Sequence, residues 1–448
     1  MIVDRYSGSH STENEEAVRA FETAVWNVLS HRPDSGQALA TALTCDADMA
    51  AAHALRGFGA VMLARRETVA AATQDLGRAR AALDRRRSTE SERVLVAALE
   101  QATAGRLRAA AAILECHAAD TPQDLLAFKL AHALHFMSGD PAGMLAGARR
   151  ALPHWTVGMP GYGFLLGCHA FALEEADDLE AAERLGRRAI AEEPADAWGL
   201  HAVGHVMEMQ GRTDEGVELL TRRRADWSRC NNFAFHMAWH LALFHLAQGR
   251  ADRALALYDT DVRPVPTDDF RDIANAVSLL WRLRQEGVTL GDRWEELAAI
   301  ARRRADDTTL VFASLHHLLT LAAVGDLANA QRIVDGIAAC AGSGGSDQAD
   351  VARHAGLDLA RAIFASVASG GPRTDIARLA GGLTSLGGSR AQRDVFLRTL
   401  ALIAAQSGER GRLERVLSAR MRMQREDRFS AIAFAMLARP STFAWRVA

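Results

Sequence analysis

Hydrophobic residues recur along this chain with a period near 3.6, almost from end to end. The run Glu16-Ala-Val-Arg-Ala-Phe-Glu-Thr-Ala-Val-Trp26 places its apolar residues on one stripe and its charges on the other. The same pattern predicts helices from Leu107 to Cys116, Leu125 to Met137, Leu179 to Ala191 and Leu413 to Gln424. Gly, Asp or Pro punctuates the short breaks, and no segment alternates as a strand would. The expectation is an all-α chain of many helical pairs.

A repeat runs through these pairs. Met137-Ser-Gly-Asp-Pro-Ala-Gly, Glu175-Ala-Asp-Asp-Leu-Glu-Ala-Ala, Met209-Gln-Gly-Arg-Thr-Asp-Glu-Gly and Ala247-Gln-Gly-Arg-Ala-Asp-Arg-Ala each follow one helix and precede another, and Val324-Gly-Asp-Leu-Ala-Asn-Ala repeats them. Placing the turns at 139, 176, 211 and 249 gives spacings of 37, 35 and 38 residues, close to a tetratricopeptide unit of about 34. In this register Ala176 replaces the turn glycine, and Gly143 stands one position early for the small residue that lets the second helix approach the first. The predicted fold is a right-handed α-solenoid of tetratricopeptide-like helical hairpins, able to curl into a closed superhelix. A polar N-terminal tail spans 1–15, irregular helical pairs 16–121, the clearest repeats 122–262, and further pairs of the same solenoid 263–448. Gly342-Ser-Gly-Gly-Ser-Asp347 reads as a mobile loop or simple punctuation. So does the glycine-rich stretch Gly370 to Gly388.

Composition narrows the function classes. Lys plus Arg is 52 against 55 for Asp plus Glu, a net charge of −3, which argues against a dedicated nucleic-acid binder. No apolar run reaches 18 residues, and Met1 to Glu16 lacks the apolar stretch of a signal peptide, so the expectation is a cytoplasmic protein with no membrane role. Five scattered cysteines without a CxxC speak against a disulfide framework. No P-loop, GxGxxG or GxSxG appears, which leaves nucleotide-binding and serine-hydrolase readings without support. The chain leaves homo-oligomer assembly open.

Candidate chemistry lies in the 16 histidines. His201-Ala-Val-Gly-His205 and His236-Met-Ala-Trp-His240 are two HxxxH pairs, and a spacing of four puts both rings of a pair on one helix face. Counted from Gly211 and Gly249 at about 100° per residue, His201, His205, Glu208, His236 and His240 share an arc of roughly 120°. Trp198, His201, His205 and Glu208 match the positions where first helices of such repeats meet ligand, and His240 sits toward the edge of that stripe. His316 repeats the angle of His240, and His132 lies roughly 40° beyond the other edge. Trp198 and Trp239 are candidates for a pocket floor. Three readings follow: histidines satisfied by neighbouring helices; a divalent transition-metal site such as zinc on His201, His205 and His240; or a metal-free pocket binding a small molecule or peptide segment. In an enzyme, most plausibly a small-molecule hydrolase, Glu208 and His205 would carry acid–base catalysis. The HExxH order of metalloproteases is absent.

The stretches Pro194-Ala-Asp-Ala-Trp-Gly-Leu-His-Ala-Val-Gly-His-Val-Met-Glu-Met209, His236-Met-Ala-Trp-His-Leu-Ala-Leu243, Ala256-Leu-Tyr-Asp-Thr260, Leu280-Trp-Arg-Leu283 with Glu286-Gly-Val288, and Gly387-Gly-Ser-Arg-Ala-Gln-Arg-Asp-Val-Phe396 resemble the tetratricopeptide repeat protein 38 family of bacteria and animals. The resemblance covers residues 13 to 440 and includes His53, His132 and His316. It departs at Arg353-His354-Ala355-Gly356, where the family pattern implies an acid in place of His354. It implies an all-α, cytosolic, repeat-built protein and brings no established reaction. It also draws attention to Gln392, Arg393 and Asp394, either as polar residues folded back toward the histidine wall or as the start of a helix capped by Ser389.

Overall fold

The computed structural model describes residues 1–368, 375–421 and 428–438. Gly370, Gly371 and the predicted helical residues 422–424 lie outside them. Helices dominate. The predicted segments appear as Glu15–Leu29, Leu107–Asp120, Leu125–Met137, Leu179–Glu192 and Arg410–Met421. The described residues form two compact units, Met1–Val206 with Arg224–Phe233, and Met207–Arg223 with Ala234–Ala448.

Each hairpin closes in the same way. Gly139, Gly211, Gly249 and Gly325 have φ of 65°, 71°, 75° and 73°, the left-handed region that glycine enters without a Cβ clash. The next residue's N–H then reaches back to a carbonyl five positions earlier, as in Asp140 to His135 and Asp326 to Leu321, both 2.9 Å. Aspartate caps the second helix in several pairs: Asp140 accepts from the Gly143 N–H at 2.9 Å and Asp178 from Ala181 at 3.2 Å. In the second hairpin the left-handed residue is Asp177 (φ 71°), while Ala176 is still right-handed at φ −91°. The turn expected at 176 therefore falls one residue later.

With that correction the recurrence lengthens. Left-handed turn residues stand at 31, 64, 105, 139, 177, 211, 249, 287 and 325. Their spacings run from 33 to 41, so the regular turns extend well outside 122–262. Two of the early ones are hidden by chemistry, because His31 and Ala64 stand where glycine would announce a turn; Gly105 carries the glycine but was not singled out. The protein is an all-α solenoid of tetratricopeptide-like hairpins. Five residues after the turn, Ala182, Gly216, Ala254 and Ala330 are buried and admit the neighbouring helix. A Cβ on Gly216 would stand 2.3 Å from Cζ of Phe244.

The first unit begins differently from expectation. Instead of a polar tail, Ile2–Val3 pairs antiparallel with Ser9–His10. Asp4 holds the turn, accepting from the Tyr6 and Gly8 N–H groups at 2.8 and 2.9 Å, and lies 2.7 Å from His10 Nε2. Thr89 Oγ1 donates to the Ser9 carbonyl at 2.7 Å, docking the pair on the capping box that opens the Glu90–Thr103 helix. In the second unit, Gly342–Asp347 is a tight connection between Leu327–Ser343 and Asp347–Val351, with Gly344 and Gly345 at φ 67° and 78°. His354, at the departure from the family pattern, is exposed on a short π-helical turn, Ala352–Gly356.

Ala64 carries a side chain at φ 48°, which costs about 1 kcal/mol relative to glycine. Ala64→Gly is therefore expected to stabilise the first unit by up to about 1 kcal/mol, read as a higher denaturant midpoint at unchanged m-value.

Candidate functional site: buried histidine clusters on the first helices

In the first unit the cluster is built from three helices, Leu125–Met137, Tyr162–Glu175 and Ala197–Gln210. Asp124 starts the first of these by accepting from the Ala127 N–H at 3.0 Å, and so sets Lys129, His132 and Phe136 at helical spacing on one face. The Trp198 ring is 4.6 Å from that of Phe171, 5.9 Å from Phe136 and 6.3 Å from His132. His201 stacks on Phe171 at 5.4 Å and meets the His205 ring edge at 4.3 Å. The expected i,i+4 pairing of His201 and His205 is therefore realised, and Trp198 and His132 stand beside it.

Several groups here were not singled out by sequence reasoning. Lys129 places its ammonium 5.1 Å from the centre of the Trp198 ring. Glu174 Oε2 lies 3.3 Å from His205 Nδ1, with both side chains fully buried. Glu174, Glu175 and His205 each offer a ligand atom within 4.8 Å of one another. Asp196 opens the Ala197–Gln210 helix, and burial pushes its carboxyl up to about 7 against the pull of the Gly199 N–H and the Lys129 charge. Burial, reinforced by Lys129, holds His132 well below the usual histidine range. It is a neutral imidazole at pH 7.

In the second unit Glu208, from the end of the same Ala197–Gln210 helix, joins Phe233–Ala247, Phe270–Gln285, Val311–Val324 and Arg390–Gln406. A hydrogen-bonded chain runs through it. Glu208 Oε2 is 2.9 Å from His240 Nδ1, His240 Nε2 is 3.2 Å from His236 Nε2, and His236 Nδ1 is 2.9 Å from Asn275 Oδ1. Three links need three protons, and two neutral imidazoles bring two. Asn275 Nδ2 is buried without a hydrogen-bond partner among the described residues. Turning the amide lets Nδ2 donate to His236 Nδ1, so that His236 donates to His240 and His240 to the Glu208 carboxylate. Trp239 stacks on His236 at 5.2 Å, and the Arg282 guanidinium lies 5.6 Å from its ring centre.

Arg282 brings the distant motif into this cluster. Its Nη2 donates to the Ala391 carbonyl at 3.0 Å and to Asp394 Oδ2 at 3.3 Å. Arg420 also grips Asp394, with Nε 2.6 Å from Oδ1. Burial alone would raise the Asp394 carboxyl, but the charges of Arg420, Arg282 and Arg398 pull it down to about 2. His316 packs on Phe396 at 4.9 Å and lies with Nδ1 2.8 Å from the Phe312 carbonyl; burial takes it down to about 3. The other two motif residues have local roles. Gln392 completes the capping box with Ser389, and Arg393 bonds the Gly388 carbonyl. The C-terminal motif thus contributes Asp394, and the helix-start reading holds for Gln392.

No protein-family model matches the chain. Among solved structures it is similar to the crystal structure of the P58(IPK) TPR domain, at 12% identity over 79% of this chain and 89% of that one, with a TM-score of 0.20. A score that low carries no argument, and the repeat assignment stands on the turns and helices themselves.

Asp394→Asn leaves buried Arg282 and Arg420 without their carboxylate. A loss of about 3–5 kcal/mol is expected in chemical unfolding. The pH dependence has a definite sign. A carboxyl held low in the fold contributes stability that is complete above its unfolded value of about 3.9 and fades as pH falls toward about 2. Wild type should lose stability across that window, and Asp394→Asn should lack this contribution.

Proposed function

We propose that this repeat protein is a cytoplasmic binder of a small ligand or peptide segment, related to the tetratricopeptide repeat protein 38 family it resembles. The histidine, glutamate and tryptophan residues on its first helices form the recognition surface. The observation that carries the reading is the chain Glu208–His240–His236–Asn275. Helix faces packed in a repeat interior are satisfied by leucine and alanine. A connected polar network there must be fully hydrogen-bonded to avoid a penalty of about 1–3 kcal/mol per open group. Such a network fixes side-chain orientation, which recognition needs and packing alone does not. Trp239, fully buried with its ring on His236 and the Arg282 guanidinium 5.6 Å from its centre, stiffens the network.

One observation favours a second reading. A carboxylate bonded to His240 Nδ1 fixes the tautomer whose Nε2 carries the lone pair, and a substrate that displaced the His236 bond from that nitrogen would meet a general base. In an enzyme, Glu208 would orient His240 and hydrolysis of a small molecule would be the reaction class. A metal bound by His201 and His205 is a further proposal, supported by the presence of Glu174 and Glu175 beside His205.

Native mass spectrometry of untagged wild type should show a co-purified small molecule or peptide. That mass should disappear in the His236→Ala/His240→Ala variant, whose helicity by circular dichroism stays largely intact. Wild type free of any such mass, from cells and from lysate-exposed samples alike, would count against the binding reading. Turnover of chromogenic esters or amides falling about 10²–10⁴-fold in Glu208→Gln would favour the enzyme instead. Metal analysis of the same protein separates the third proposal: bound metal should be released as pH drops through about 6.5, where the imidazoles protonate.

A further inference from the structure

In the first unit the Arg66–Arg85 helix outruns its partner. Its 20 residues rise about 30 Å, against about 20 Å for the 13 residues of Ala50–Met62, on which it packs across the left-handed Ala64. The two run antiparallel. The last turns of the longer helix therefore lie beside the start of the shorter one and the segment 46–48 that leads into it.

Arginine–aspartate pairs clamp that segment to the helix. Arg86 donates to the two oxygens of Asp46 at 2.8 and 2.7 Å, and Arg85 donates to Asp48. His53 holds the residue between them. Arg56 Nη2 donates to its Nδ1 at 3.3 Å, which leaves the hydrogen on Nε2 to bond the Ala47 carbonyl at 2.9 Å.

Between this clamp and the helix face lies an open cleft of about 610 Å³, within the size range of small-molecule sites. Its charge is of one sign. Gln74, Arg78 and Arg85 line it from one face of the helix, and among the described residues no carboxylate does. Between the two arginines that face carries only Gly77 and Ala81, so the floor stays low. A Cβ on Gly77 would meet nothing within 4 Å.

The arginines keep donors to spare. Arg78 gives one N–H to Asp75 at 2.8 Å, and Asp75 also serves Arg56, whose Nε and Nη2 lie 3.0 and 2.6 Å from it. Arg85 gives one N–H to Asp48. A guanidinium has five such hydrogens, and these two side chains are 55% and 61% exposed. Residues 74–87 hold five arginines against two aspartates, in a chain whose net charge is −3. Arg78 and Arg85 stand seven residues apart, about 10 Å along the axis, each tethered to its own aspartate. One tetrahedral anion is too short to engage both. Two linked phosphoryl groups offer each fork its own oxygens.

We propose that this cleft binds the diphosphate group of a small molecule. Arg78 holds one phosphoryl group and Arg85 the other, Gln74 adds an amide donor, and the rest of the ligand lies over Gly77, Ala81 and Ala47. The site shares no residue with either histidine cluster and does not depend on the reading of them.

Calorimetric titration of the full chain with inorganic diphosphate, in EDTA so that no metal carries the binding, should show one site. Inorganic phosphate should bind about tenfold more weakly or worse, because it engages one arginine. Arg78→Gln and Arg85→Gln should each weaken diphosphate binding by a similar factor. Gly77→Leu tests the cleft without touching an ion pair. Leucine is the better helix former and its Cβ has room, so the melting temperature should hold while the side chain fills the floor and abolishes binding. A wild type that gives neither heat nor a thermal shift at millimolar diphosphate overturns the proposal. So does phosphate that binds as tightly as diphosphate, or a folded Gly77→Leu, Arg78→Gln or Arg85→Gln variant that binds as wild type does. Loss of helicity in one variant leaves the other two to decide.

Discussion

One backbone conformation governs this protein: the left-handed residue that ends each first helix and turns the chain into the next. It permits the return bond from the following N–H, and with it a hairpin whose two helices lie close along their length. Where the residue is glycine the turn is unstrained. At Ala64, His31 and Asp177 the surrounding packing holds a side chain in a region it disfavours. The recurrence of this turn, not any single contact, makes the chain a repeat protein.

Regular hairpins in turn present the same faces of successive first helices to their neighbours. In most such positions the chain places Ala, Leu or Val, but at a few it places ionisable or aromatic residues, and these collect within each unit. The first unit gathers Lys129, His132, Glu174, Trp198, His201 and His205. The second gathers Glu208, His236, Trp239, His240, Asn275 and Arg282. Burial acts on both groups with the same sign. It holds His132 and His316 neutral near pH 7, and a neutral imidazole can accept a proton, donate a hydrogen bond or ligate a metal.

Charge separates the two clusters. In the second unit Asp394 satisfies Arg282 and Arg420, so the cations are matched inside the chain and the carboxyl stays ionised to low pH. In the first unit Lys129 has no carboxylate at ion-pair distance among the described residues, while Asp196 is pushed toward neutrality. A matched set contributes to folding.

The sequence by itself determined the helical class, most helix positions and the hairpin turns at Gly139, Gly211, Gly249 and Gly325, because periodicity and φ preference are local properties. It also paired His201 with His205 and His236 with His240, since residues four apart share a helix face whatever surrounds them. It misplaced the turn at Ala176 by one residue and lost the turns at His31 and Ala64, where no glycine signals the left-handed conformation. Lys129 was visible as the chain's one lysine, but nothing local says that a lysine is buried. That Asp394 meets Arg282 across 112 positions, while Gln392 two residues earlier closes a cap, was decided by tertiary structure alone. Such partners are chosen by which helices pack together, and packing depends on the whole set of side chains rather than on any segment of them.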